Sequence, residues 1–358
     1  RVLQAFAGAA ILPSSLALVL PLFPESRRTT AVGLWSAAGP LGAGVAPGLV
    51  ALILANAGWR IVYLVSAPVA LLMFWAGQSL LRELPTPRDQ QRLDLVGAAA
   101  GTVAIGAVVT AIMQGRVWGY TSALTATVAV VGVLSLVLFL SNSFRHPEPL
   151  LTLHLLRRRG VMVSNVVNFV MGITSQPLWI VWPLFMKNVW NFSTLQVGMG
   201  VTLGPIAAGF STLTFSRLAD RIGSLGLCRL GTALQVFAVG WHFTQLGADV
   251  NFWSDFAPGI IIYGLGWGMS IPLLNGVALE WVEEKYYGET NGLFSTLRYA
   301  AAAIGTAAVF ALLTVTSGVE ALPYYDRILG FFFVASTLGA LAMWIKIGRA
   351  PKHNQVAN

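Results

Sequence analysis

Charge is scarce in this chain. Only 10% of its 358 residues are Asp, Glu, Lys or Arg, against about 25% in soluble domains, and 56% are hydrophobic. The mean hydropathy is +0.71, which excludes a water-soluble globular protein. Cysteine is scarcer still: the single Cys228 cannot form an intrachain disulfide. The chain has no HExxH, no paired aspartates suited to a metal and no Ser/His arrangement, so the sequence gives no support to an enzyme acting on lipids or isoprenoids. A ring of charge or a filter-like repeat, the marks of a channel, is absent as well. The formal charge of +8 invites a nucleic-acid reading, but in so apolar a chain basic residues record orientation, and no nucleic-acid partner is expected.

What the chain does have is a series of apolar stretches long enough to cross a bilayer, which needs about 20 residues each. They fall at about 2 to 23, 30 to 55, 60 to 81, 95 to 114, 122 to 142, 161 to 186, 195 to 215, 226 to 246, 256 to 281, 291 to 315 and 328 to 347. The reading is therefore an all-α polytopic membrane protein of about eleven transmembrane helices. If the loop holding Arg27 and Arg28 is cytoplasmic, alternation leaves only Arg60, Arg116, Lys187 and Arg327 outside. The other placed basic residues then lie inside, which fixes the orientation with a cytoplasmic C-terminus. An inner or plasma membrane is the expected location.

The stretch from Gly33 to Ala51, GLWSAAGPLGAGVAPGLVA, is apolar yet carries five glycines and two prolines. In lipid, helices associate through close packing of small residues, and Gly44 and Gly48 form a GxxxG pair. This helix should be tightly packed. Its spacing of Gly33, Gly42, Ala46-Pro47 and Val50-Ala51 resembles the antiporter motif in the fifth helix of major facilitator superfamily exporters, with Ala46, Val50 and Ala51 standing where that motif has glycine.

Further matches follow in the family's order. Arg1 to Gln4 with Gly8 and Pro13 resembles the opening of its fourth helix, and Trp59-Arg60 with Pro68 the start of its sixth. Leu93-Asp94 with Gly97 resembles the first of an extra helix pair found in the fourteen-span drug:proton antiporter branch, the EmrB/QacA-like exporters. Leu218-Ala219-Asp220-Arg221 with Gly223 resembles a cytoplasmic Asp-Arg-x-Gly loop, and Gly288, Gly292, Arg298 and Gly305 the start of the thirteenth helix. The resemblance implies a major facilitator fold with about eleven of fourteen helices present and the first three missing at the N-terminus. Residues 1-82 then hold the remainder of the N-terminal half, 83-152 a linker with two extra helices, 153-350 the C-terminal six-helix half and 351-358 a cytoplasmic tail. It implies a secondary exporter of small amphipathic or drug-like compounds working by alternating access and coupled to protons, with the proton gradient as energy source and no cofactor. A carrier of one metabolite on the same fold, or an inactive truncated transporter, are the competing readings.

Transport needs polar groups in a lipid-protected cavity. Asn165, Asn168, Gly172, Ser175, Gln176 and Trp179 recur at helical intervals in the 161 to 186 stretch, as one polar stripe. Plain interhelical hydrogen bonding is the alternative to a cavity wall. Trp179 and Trp182 would offer aromatic surface to a cationic substrate, and Asn275 lies in a glycine-rich stretch read first as a bending element. His242 reads as an interfacial residue. Arg298, about eight residues into its span, is read either as snorkelling to the interface or as a gate or coupling charge. Arg1, Asp220, Arg221 and Gly223 are coupling or gating candidates on the strength of the resemblance, with Asp220 and Arg221 expected on a loop. No carboxylate occupies the middle of any expected span. The titratable acid of a proton antiporter is therefore expected in the missing helices.

Overall fold

Helix starts and stops in this chain are written in a few polar and glycine residues. Asp94 accepts from the Gly97 N–H at 2.7 Å and Ser122 from the Thr125 N–H at 3.2 Å, each satisfying a donor that the first helical turn leaves unpaired. Ser193 and Gln196 close a reciprocal capping box. At Gly223 the backbone takes φ 90°, a conformation that a residue with a Cβ rarely adopts. There one helix ends and the next begins within a single residue.

The computed structural model describes residues 28–80, 94–147, 149–283, 286–314 and 317–345, with isolated positions before residue 28. Among the described residues the long helices are α1 (Arg28–Ala57), α2 (Trp59–Leu80), α3 (Leu95–Trp118), α4 (Ala123–Arg145), α5 (Arg159–Asn188), α6 (Thr194–Ile222), α7 (Ser224–Gln245), α8 (Ala257–Leu279), α9 (Tyr287–Leu312) and α10 (Leu322–Ala342). They coincide with ten of the eleven expected stretches. The eleventh, 2 to 23, lies outside the described residues apart from isolated positions, as do Arg1 and the tail 351-358.

Among the described residues, eight segments, in α2 to α6 and α8 to α10, are long and apolar enough to cross a membrane. Helix α7 is not among them. It interrupts its apolar residues with Thr232, Gln235 and His242, all of them buried against neighbouring helices. The outer faces are apolar: on α4, Val130, Val133, Leu134 and Val137 are each more than half exposed. A surface of that kind is stable in hydrocarbon and costly in water. The protein is an integral membrane protein.

Small residues set the packing. Helix α8 lies between α6 and α7. A Cβ added to Gly264 would meet the Gly204 carbonyl, and one added to Gly268 the Ala208 carbonyl. The glycines of α8, expected to bend it, are thus contact surfaces that bring backbones together. Helix α5 packs on α9 and α10, while α3 and α4 form a hairpin beside α9. The core is aromatic at the Trp190 end, where Trp182, Phe185, Phe256, Tyr263, Tyr325 and Phe332 are almost wholly buried. It is aliphatic at the Gly223 end, around Val163, Val167, Leu274 and Val277.

Candidate functional site

The polar stripe of α5 divides between two faces. Asn168 is fully buried and donates from Nδ2 to the Phe294 carbonyl of α9 at 2.7 Å. One turn on, Gly172 lets α9 approach: a Cβ there would lie 3.0 Å from Ala301 Cβ and 3.2 Å from the Arg298 carbonyl. Ser175 continues this buried line, but Gln176, one residue and 100° further round, is exposed. Asn165 is buried and donates to the Val161 carbonyl of its own helix at 2.9 Å. It borders an open groove of about 230 Å³ lined also by Met162, Val166, Phe169, Val170 and Leu297. The Oδ1 atoms of Asn165 and Asn168 have no partner among the described residues. Asn168 thus makes the interhelical hydrogen bond, while Gln176 lies on the exposed side of the helix.

The two tryptophans also part. Trp182 is fully buried and touches Tyr263 at 5.1 Å and His242 at 5.4 Å between ring centroids, so it presents no surface to a ligand in this conformation. Trp179 is half-buried, edge-on to Trp182 at 5.1 Å, and rests on Gly204 of α6. Asn275 joins α8 to α9 by donating to Asn291 Oδ1 at 2.6 Å.

His242 is a correction to the interfacial reading. It is fully buried, stacked on Phe256 at 5.2 Å, with Nε2 3.0 Å from the Phe256 carbonyl. A carbonyl only accepts, so Nε2 carries the proton. The space for the ring comes from Gly259, where a Cβ would collide with it. Position along the span alone did not carry that information.

The seam between α1 and α6 is built from the motif helix. Gly44 faces Ile206, Gly48 faces Met199 and Thr202, and a Cβ on Gly198 would lie 2.5 Å from Ala51 Cβ and 2.8 Å from the Pro47 carbonyl. Of the motif positions, Pro47 joins the seam, whereas Gly42 has no described neighbour within 4 Å and Ala46 is exposed. Gly33 lies in α1 at a position whose surroundings are outside the described set.

Asp220 and Arg221 belong to the last turn of α6, which runs on to Ile222, and not to a loop. The helix continues because its stop signal is Gly223, whose N–H bonds back to the Ala219 carbonyl at 2.8 Å. The side chains of Asp220 and Arg221 are outside the described set. Arg298 is half-buried, its guanidinium carbon 5.3 Å from the Tyr299 ring centroid and its Nε without a partner among the described residues.

Sequence reasoning missed two polar anchors. Arg116 donates from Nη1 to the Leu313 carbonyl and from Nη2 to the Thr314 carbonyl, both at 3.1 Å. Arg158 donates to the Trp281 carbonyl at 2.8 Å and pairs with Glu283 at 3.7 Å. Both arginines read as topology signals, and nothing in their spacing distinguishes an anchor from a snorkelling charge.

Among the described residues, long apolar helices pack against one another through small-residue seams. The chain belongs to the Major Facilitator Superfamily, whose family description matches residues 1–144 and 165–358. It is 25% identical over 330 residues to the multidrug resistance protein Stp of Mycobacterium tuberculosis, covering 90% of this chain and 60% of that protein. It is 23% identical over 352 residues to the methylenomycin A resistance protein of Bacillus subtilis, covering 96% of this chain and 73% of that one. The chain thus spans about three fifths to three quarters of the length of these relatives. Among solved structures, the POT family transporter PepTSo has the same fold at a TM-score of 0.57, with 15% identity and coverage of 93% of this chain and 75% of that one.

Proposed function

We propose that the protein is a secondary active exporter of small amphipathic or drug-like compounds that works by alternating access and is driven by inward proton flow. The observation that carries this reading is the α1–α6 seam. There Gly44, Gly48 and Gly198 let the backbones of α1 and α6 approach closely. In this reading two halves rock about a central site and this close contact is the surface on which they meet. The names of the relatives, a multidrug resistance protein and a methylenomycin A resistance protein, support drug-like cargo. So does the open face of α5, where Met162, Val166 and Gln176 are exposed and uncharged.

In this reading the chain holds eleven spans of the fourteen-span drug:proton antiporter branch and sits in an inner or plasma membrane with its C-terminus in the cytoplasm. Asn165, Gln176 and Trp179 meet the cargo, while Arg298 and the turn at Asp220, Arg221 and Gly223 serve gating. The proton gradient is the energy source and no cofactor takes part.

The test is accumulation of a panel of lipophilic dyes in cells expressing the intact protein that carries this chain, with a Gly198→Leu variant alongside. Lower accumulation that the variant abolishes is the expected result. No change with any dye would sink drug export and favour a carrier of one metabolite.

A further inference from the structure

We infer that the α3–α4 hairpin is a fixed part of the C-terminal bundle and travels with it, so that the moving seam lies between α1–α2 and everything from Leu95 onward. This rests on the alternating-access reading above.

The hairpin is rigid within itself. A Cβ on Gly101 would lie 3.2 Å from the Phe139 ring, and one on Gly132 would lie 3.2 Å from Ala107 Cβ. It is then fastened to the bundle at both ends. At the Trp190 end, Arg116 reaches the carbonyls of Leu313 and Thr314 just past the end of α9. Helix ends leave carbonyls unpaired and partly negative, and the two-pronged guanidinium satisfies two of them at once. At the other end Asp94, besides capping α3, accepts from Asn142 of α4 at 2.6 Å and from the Leu150 N–H at 3.1 Å. Leu150 belongs to the segment that leads into α5. Beneath it Ala100 and Phe139 of the hairpin share one buried cluster with Leu155, Val161, Val282 and Leu293 of the bundle. Along its length α3 packs on α9, while the principal contacts of α1 are with α6 and α2. A hairpin pinned at both ends and along its side to one partner has no independent motion left to it.

The experiment places spin labels in pairs on the protein in lipid nanodiscs, at acidic and at alkaline pH, with and without ethidium. Val117→Cys on the hairpin, Trp253→Cys on the bundle and Trp59→Cys on α2 occupy sites that are 76%, 76% and 58% exposed. Cys228 is buried and escapes labelling. The distance between labels at 117 and 253 should stay single and narrow under every condition, while that between 59 and 253 shifts. If the 117 to 253 distance shifts together with the 59 to 253 distance, the inference is overturned. If 59 to 253 never shifts, alternating access fails, and the width of the 117 to 253 distribution still decides whether the hairpin is fixed. In an Arg116→Ala background a second, longer 117 to 253 population should appear. A distribution identical to that of the parent would overturn the role assigned to Arg116.

Discussion

Gly198 on α6 lies against the Pro47 carbonyl of α1 with no room for a side chain, since a Cβ would come within 2.8 Å of that oxygen. Backbone, not the tip of a flexible side chain, is the obstacle, so a larger residue must push the helices apart. Overpacking of this kind costs about 1–3 kcal/mol. Gly198→Leu should lower thermal stability in detergent and abolish transport. Gly42→Ala, at a motif position with no described residue within 4 Å of the added Cβ, should leave both unchanged. Equal effects of the two substitutions would remove the seam from the account.

Asn168 holds α5 to α9 through the Phe294 carbonyl. Interhelical hydrogen bonds in membrane proteins average about 0.6 kcal/mol and reach about 1.7. This one is short and fully buried, so Asn168→Leu should destabilise by about 1 kcal/mol, toward the upper part of that range. Thermal unfolding followed by fluorescence is the check, and a more stable variant would contradict the role given to the bond.

The two tryptophans should separate in their effects. Trp182 is core, and truncating a buried Trp to Ala costs about 3–5 kcal/mol. Trp182→Ala should therefore reduce the amount of folded protein recovered from the membrane. Trp179→Ala should fold and instead weaken transport of aromatic cations, seen as a raised KM for ethidium with kcat little changed. Folding loss in both variants would take Trp179 out of the cargo site.

Asp94 gives a pH signature. Burial alone would raise its pKa, but hydrogen bonds from Leu150, Gly97 and Asn142 outweigh it and hold the carboxyl below the usual carboxylate range. A group depressed on folding contributes stability above its unfolded pKa of about 3.9. That contribution is lost as the pH falls through the folded value. The parent protein should lose stability toward acid more steeply than Asp94→Ala. At neutral pH the variant should be less stable by about 0.5–2 kcal/mol, as for a lost N-cap. Parallel pH profiles of the melting temperature would contradict this.

Helix positions were legible because apolar length is a local property. Ten expected stretches coincide with helices, while the caps at Asp94 and Gly223 emerge only from the structure. Which face of a helix meets which neighbour is not local. Asn168 and Gln176 share an interval pattern, yet only the position of α9 makes one a contact and leaves the other open. His242 was misplaced for the same reason, since its burial depends on Phe256 and Gly259 across the turn into α8. Arg116 finds its carbonyls nearly two hundred residues away. The GxxxG pair was the exception, because two glycines four apart define a flat helix face whatever packs on it.

Proton-driven export is the central claim, and efflux from proteoliposomes tests it most directly. The protein is reconstituted with ethidium inside and the external medium is made acidic. The account predicts ethidium loss that begins with the pH step, stops when an ionophore collapses the gradient and is absent in Gly198→Leu. Efflux at the same rate with and without the gradient, or none across a broad set of amphipathic compounds, would contradict it.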